Sequence, residues 1–325
     1  MEMQYSDSLK NSFVSMMVSN DLGARFYDEK ARPFFVKMIN YLTETSKFPL
    51  EKLPIITDNS TSFIASFYKN YETKERKFTF NRNKFLNGGT QMNQPLNTEN
   101  KLLSIYQAML TAIHEFRHYE QDYMQSVSKI DDLSPMAIFF AKESIVIRED
   151  NNFYKKNHDL FIKEIDATLH ANKIMVDFLN SINIKSQDID RLKRTAKYYF
   201  DEGSKSREMY TVRGGFCEVV SADLDEIIKN MVPGKRKMYF DSLPCLTFIY
   251  KNDGGKRTYQ EIMQLKNTLI QRQKQLCLDQ NHINKFIYHV DTIFSVIVNY
   301  DRDLRKQRDD GFQAKKMTQE KKAIK

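Results

Sequence analysis

The apolar positions follow two different periods along the chain. In the first fifty residues they recur every three or four places: Phe13, Met16, Met17 and Leu22, then Phe34, Phe35, Met38, Ile39 and Leu42. That spacing predicts helices with one buried face, and Pro33 suits a first helical turn. Between residues 62 and 85 the period changes. Ile64, Ser66 and Tyr68 alternate with Phe63, Ala65 and Phe67, and Lys77, Thr79 and Asn81 alternate with Phe78 and Phe80. Two alternating runs around the charged KNYETKER predict a β-hairpin, closed by Asn87-Gly88-Gly89 and followed by a polar loop over 90–100. The helical period returns with Leu102, Leu103, Ile105, Tyr106, Met109, Leu110, Ile113 and Phe116, which predicts a helix over 100–127. Further helices are expected over 135–147, with Ser134 as N-cap, and over 159–180. From 187 onward the pattern is mostly helical, ending in helices over 258–279 and 282–307. One strand-like run interrupts it, CLTFIYK (245–251), turned by Asn252-Asp253-Gly254-Gly255.

These elements make an α+β fold that is predominantly helical, in keeping with only 10 glycines and 7 prolines in 325 residues. The least patterned stretch, 181–190, marks a boundary. It separates an N-terminal domain (1–185) from a helical C-terminal region (186–308) and a tail (309–325). With 41% hydrophobic residues the chain can bury a core, so disorder throughout is excluded. The 23 Phe and 17 Tyr fill that core in the absence of Trp. No apolar run approaches the roughly 18 residues of a membrane helix, and the opening MEMQYSDSLKNSF shows no leader pattern. Cys217, Cys245 and Cys277 form no close pair, which argues against a disulfide framework or a thiolate zinc site. A soluble, cytoplasmic protein is the expectation.

The net charge of +8 invites a nucleic-acid reading, but residues 305–325 carry eight Lys/Arg against three acids. Most of the excess therefore sits in the tail, which lacks apolar periodicity and is expected to be unstructured. Contact with nucleic acid is expected, if anywhere, through that tail.

The candidate chemistry lies in TAIHEFRHYEQ (111–121). His114 and His118 are four apart, so on a helix both imidazoles face one way and can reach a single metal ion. Glu115 lies beside the first His, in reach of a water on that ion. Two imidazoles with a carboxylate suit one zinc ion per chain rather than calcium or magnesium. Zinc lowers the pKa of its water to about 7, and a nearby carboxylate can take the proton as that water attacks a carbonyl. The third ligand is expected in FIKEIDATLHANKI (161–174). Glu164 shares its face with Ala167 and Ala171, small residues that let two helices approach closely. The rival, Asp166, points about 200° away around the helix and is expected to be a supporting or surface group.

With its downstream Glu-x-x-Ala helix and preceding hairpin, this motif resembles the gluzincin type of zinc metallopeptidase over residues 60–180. The segment 151–167 is also similar to zincin-like proteins of bacterial mobile elements. The resemblance implies a zincin-like core, zinc held by His114, His118 and Glu164, and Glu115 as general base in peptide-bond hydrolysis. The sequence departs from that pattern at Arg117, where charge is usually absent, and at Thr168, where an Asp supporting a ligand is common.

Tyr154 and His158 are candidates for hydrogen bonds to a developing oxyanion. His170 is expected to be structural. His282 and His289 share a face with no acid or Cys spaced to join them, and are expected to be packing residues. Arg213-Gly214-Gly215 is too short for a phosphate loop. The leading expectation is a peptidase acting on a peptide or protein, with the substrate laid along the edge of the hairpin. Two other classes stay open: a metal-binding interaction module without turnover, and a nucleic-acid-associated factor whose His pair is incidental.

Overall fold

The first helix, α1 (Asp7–Met17), starts where the Ser6 hydroxyl accepts the Leu9 amide at 3.3 Å, and it buries Leu9, Phe13, Met16 and Met17. The computed structural model describes residues 4–70, 72–88, 95–126, 151–212 and 280–323. It also describes helical residues at 137, 140–141, 143–144, 147–148, 223, 226, 267 and 270–271. The short α2 (Ala24–Phe26) passes through a π-helical turn (Tyr27–Ala31) into α3 (Arg32–Thr45), with Pro33 in its first turn. Phe34, Phe35, Met38, Ile39 and Leu42 of α3 are all buried, as their spacing predicts. Lys101 reaches back to the end of α1, where its Nζ donates to the carbonyls of Met17 (2.8 Å) and Ser19 (2.5 Å).

Three strands follow: β1 (Ile55–Thr57), β2 (Ala65–Lys69) and β3 (Arg76–Phe80), in the order β1-β3-β2. The expected hairpin is β2–β3, antiparallel with Phe67 opposite Phe78. The parallel partner β1 was not expected, because three residues are too few to display a period. In the hairpin turn Lys74 takes the left-handed conformation (φ 63°), and beyond β3 Gly88 does the same (φ 73°), as the Asn-Gly pair suggests. Asn81 starts α4 (Arg82–Leu86): its Oδ1 accepts the Lys84 amide at 2.9 Å, while its Nδ2 donates to the Thr61 carbonyl at 2.8 Å. On the core face Phe80 stacks on Phe35 with ring centroids 5.3 Å apart. Phe67 and Phe78 pack at 5.4 and 5.9 Å against Tyr119 of the long α5 (Lys101–Ser126).

Two compact units divide the chain: Met1–Tyr123 with Lys163–Arg207, and Met124–Ile162 with Glu208–Lys325. The first unit holds a single core that runs from Tyr5 to Ala196. To it belong nearly all of α7 (Ile162–Asn180) and all of α8 (Gln187–Glu202), so the boundary expected near 185 falls inside this unit. The reason is local. Ile182 and Ile189 are buried on either side of the polar connection, and Lys193 Nζ donates to the Ile182 carbonyl at 2.8 Å.

The second unit contains α6 (Asn151–Asn157), a 3₁₀ turn (His158–Leu160) and α9 (Gln280–Ala323). Within it, the buried Glu143 accepts the Ile162 amide at 3.0 Å, and Ile283, Phe286 and Val290 of α9 are buried. The tail is helical through Ala323, against the expectation of an unstructured segment. Lys, Gln, Glu and Ala favour helix by intrinsic propensity, which lets the helix expected over 282–307 continue into the tail. The strand-like run 245–251 and its turn, most of 258–279, Ser134, Arg213–Gly215 and the three cysteines lie outside the described residues. No described helix is long and apolar enough to cross a membrane.

Phe35 is fully buried and touches both α1–α3 packing and the sheet. Phe35→Ala should destabilise the first unit by about 3–5 kcal/mol, read as a lower urea midpoint in the full-length chain.

Candidate metal centre

The core face of α5 buries Ile105, Met109, Ala112, Ile113 and Phe116. This seats the helix so that its neighbouring face, carrying His114 and His118, turns toward α7. The two imidazoles stand nearly perpendicular, with centroids 4.7 Å apart. Their Nε2 atoms are 3.1 Å from each other, and each is 3.1 Å from Oε2 of Glu164. Glu164 is buried, and Ala167 and Ala171 on its face are completely so. Three donor atoms thus form an equilateral triangle. A tetrahedral zinc with bonds of about 2.0–2.1 Å spaces its ligand atoms about 3.3 Å apart, so the triangle is close to one face of that tetrahedron. A carboxylate oxygen of Glu115 lies within 4.8 Å of ligand atoms on both imidazoles. His114, Glu115 and His118 are thus close enough to share a metal ion.

The far side of each ring decides which nitrogen carries the proton. His118 Nδ1 is 2.8 Å from Oε1 of Gln121. The Gln121 amide nitrogen is occupied, donating to the Lys163 carbonyl at 2.9 Å and to Asp166 Oδ2 at 2.8 Å. Oε1 therefore accepts from His118 Nδ1–H. Nδ1 of His114 meets the Thr168 hydroxyl at 3.4 Å.

Arg117, the other departure, is not exposed beside the site. Its Nε donates to Asp166 Oδ2 at 2.7 Å, its Nη2 to Asp166 Oδ1 at 3.4 Å, and its Nη1 to Glu120 Oε2 at 2.7 Å. Burial opposes the charge on Arg117, but Asp166 and Glu120 more than offset it and hold its pKa above the usual guanidinium value. Asp166 accepts from both Arg117 and Gln121. Burial likewise opposes protonation of His118, yet the carboxylates of Glu164 and Glu115 raise its pKa above the ordinary imidazole value. For His170 burial wins. With Arg117 also nearby its pKa is pushed down to about 4, and its buried Nε2 has no hydrogen-bond partner.

Glu115 is held from the sheet. Its Oε2 accepts the amide of Phe67 on β2 at 2.8 Å. The hairpin's paired residues are 64 with 81 and 70 with 75, through Asn81 N to Ile64 O (2.8 Å) and Asn70 N to Glu75 O (2.8 Å). By alternation the backbone groups of Ala65, Phe67 and Lys69 point away from β3, along the open edge of the sheet. Asp122, one turn beyond His118, fixes the strands to this helix: it is ion-paired with Lys69 of β2 and, at 2.8 Å, with Arg76 of β3.

Tyr154 and His158 belong to the second unit, where their rings are 5.1 Å apart and Tyr154 lies edge-on to Phe161 at 5.2 Å. His289 and His282 do have acidic partners, against the expectation. His289 Nδ1 is 2.8 Å from Asp223, and His282 Nε2 is 4.0 Å from Glu226, with Lys285 between them 3.0 Å from Glu226. Those acids come from a distant segment, so no local spacing reveals them. The sequence also gives no sign of the Phe67 amide. Gln121 was within reach, since it lies three residues after His118 on the same helix face. Comparison with known families, curated proteins and solved structures finds no match to the chain.

Elemental analysis should find about one zinc per chain, lost in His118→Ala and in Glu164→Ala and kept in Asp166→Ala, which removes a neighbour rather than a ligand. A pH-dependent effect is expected from His170. Between the ordinary imidazole pKa of about 6.5 and its own value of about 4, the unfolded chain binds a proton that the fold refuses. Stability contributed by the neutral ring is therefore complete above that window and is lost as pH falls through it. His170→Leu should show a smaller drop in urea midpoint than wild type between pH 7 and pH 4.5.

Proposed function

We propose that the protein is a zinc-dependent hydrolase of peptide bonds, with a zincin-like core of the gluzincin type. One observation carries the reading: the Glu115 carboxylate stands beside the His114 and His118 imidazoles, which meet Glu164, while its Oε2 accepts an amide of an edge strand. Zinc held by that triangle supplies a Lewis acid that polarises a carbonyl and lowers the pKa of water to about 7. Glu115 is the general base. The Phe67 amide fixes the carboxylate through Oε2, and the carboxylate takes the water's proton and later passes it to the leaving amine. A peptide or protein substrate lies along β2, adding a strand through the outward backbone groups of Ala65 and Lys69 and the Phe67 carbonyl. Backbone pairing of this kind gives affinity with little demand on side chains.

The discriminating variant is Glu115→Gln. The amide keeps the shape but cannot accept the proton, so zinc content and fold should be unchanged and hydrolysis of a peptide library should fall by roughly 10²–10⁴-fold. Equal cleavage by the variant would remove Glu115 from the mechanism. Stoichiometric zinc with no cleavage by wild type would make the chain a metal-binding module without turnover.

A further inference from the structure

The geometry points to Gln121, locked by Asp166 and Arg117, as the positioning residue that keeps the proton of His118 on Nδ1 and so aims its Nε2 lone pair at the metal. This rests on the metal-centre reading above and adds a residue that the zinc-binding motif does not contain. An imidazole is a ligand only through a nitrogen without a proton, and neutral histidine can carry its proton on either side. At His118 the choice is forced by an amide that has no second orientation. Turned over, Gln121 would aim its oxygen at the Lys163 carbonyl and the Asp166 carboxylate, both within 2.9 Å of the present nitrogen. Its hydrogens would then face His118 Nδ1. Gln121 is fully buried, so water cannot substitute for it.

Arg117 makes the lock hold. It grips both oxygens of Asp166, which leaves Oδ2 aimed at Gln121 as well as at the guanidinium. Its remaining charge is met by Glu120, whose other oxygen takes the Ser46 hydroxyl at 2.6 Å. A charged residue inside the zinc motif is therefore built into the support of one ligand. Partners behind a metal-binding histidine typically change metal affinity by about 10–100-fold when removed.

The test uses the full-length chain, zinc affinity by competition with a chromogenic chelator, and the ring N–H resonances of histidine. Wild type should show an exchange-protected, downfield Nδ1 proton on His118, with and without zinc. Gln121→Leu, close in volume, should lose that resonance and bind zinc about 10–100-fold more weakly, with a lower urea midpoint because the Lys163 carbonyl loses its buried donor. Arg117→Lys keeps the buried charge but cannot grip Asp166 with two nitrogens. It guards against a folding defect in the leucine variant and should weaken zinc binding to a smaller extent. Zinc affinity in Gln121→Leu equal to wild type would overturn the proposal while leaving the metal centre standing. A wild type that takes up no zinc, but loses the protected proton on Gln121→Leu, would overturn the metal centre while supporting the lock on His118.

Discussion

Two imidazole nitrogens and a carboxylate oxygen, each 3.1 Å from the others and largely shut away from water, must share a proton or a cation. Lone pair facing lone pair is repulsive, and burial removes the water that would relieve it. The raised pKa of His118 is the same constraint in its proton form, and a divalent ion would meet it at all three atoms at once. Much of the first unit serves this closeness. The α5 helix supplies both histidines at one-turn spacing, and α7 brings Glu164 in on a face of alanines.

The charged residues around the triangle are arranged in pairs that let the helices pack without stranding a charge. Arg117 is matched by Asp166 and Glu120, and Asp122 by Lys69 and Arg76. Breaking one side of such a buried pair typically costs about 3–5 kcal/mol, so these contacts constrain geometry more than they add net stability. Their geometric effect is specific. The Asp122 cluster pins the β2 and β3 ends to α5, and that registration brings the Phe67 amide onto Glu115. The same helix therefore carries the histidine pair, Glu115 and the sheet anchor in three successive turns.

Much of this was legible in the sequence. The three-and-four spacing located α1, α3, α5 and α7, and the two-residue alternation located the β2–β3 hairpin. The histidine pair, Glu115 and the preference for Glu164 over Asp166 followed from helix geometry and an alanine face. Other features were hidden. The parallel strand β1 is too short for a period. The boundary near 185 was drawn where the pattern is weakest, and a weak pattern does not report that Ile182 and Ile189 both turn inward. The last helix was expected over 282–307, and its continuation through the tail to Ala323 was not, because the tail lacks an apolar stripe and its intrinsic helix propensity was not weighed.

Local periodicity therefore determined which residues share a face, because the repeat of a helix or strand is a property of neighbouring backbone dihedrals. It fixed the identity of the candidate ligands and the base. Only the tertiary structure decided what stands behind them. Thr168 behind His114, Arg117 and Gln121 across from Asp166 and the edge-strand amide on Glu115 join residues 45–54 positions apart. Such contacts are set by how α5, α7 and the hairpin close on one core. No local repeat encodes that closure, because its driving force is the burial of apolar faces and is indifferent to which polar atoms it brings together.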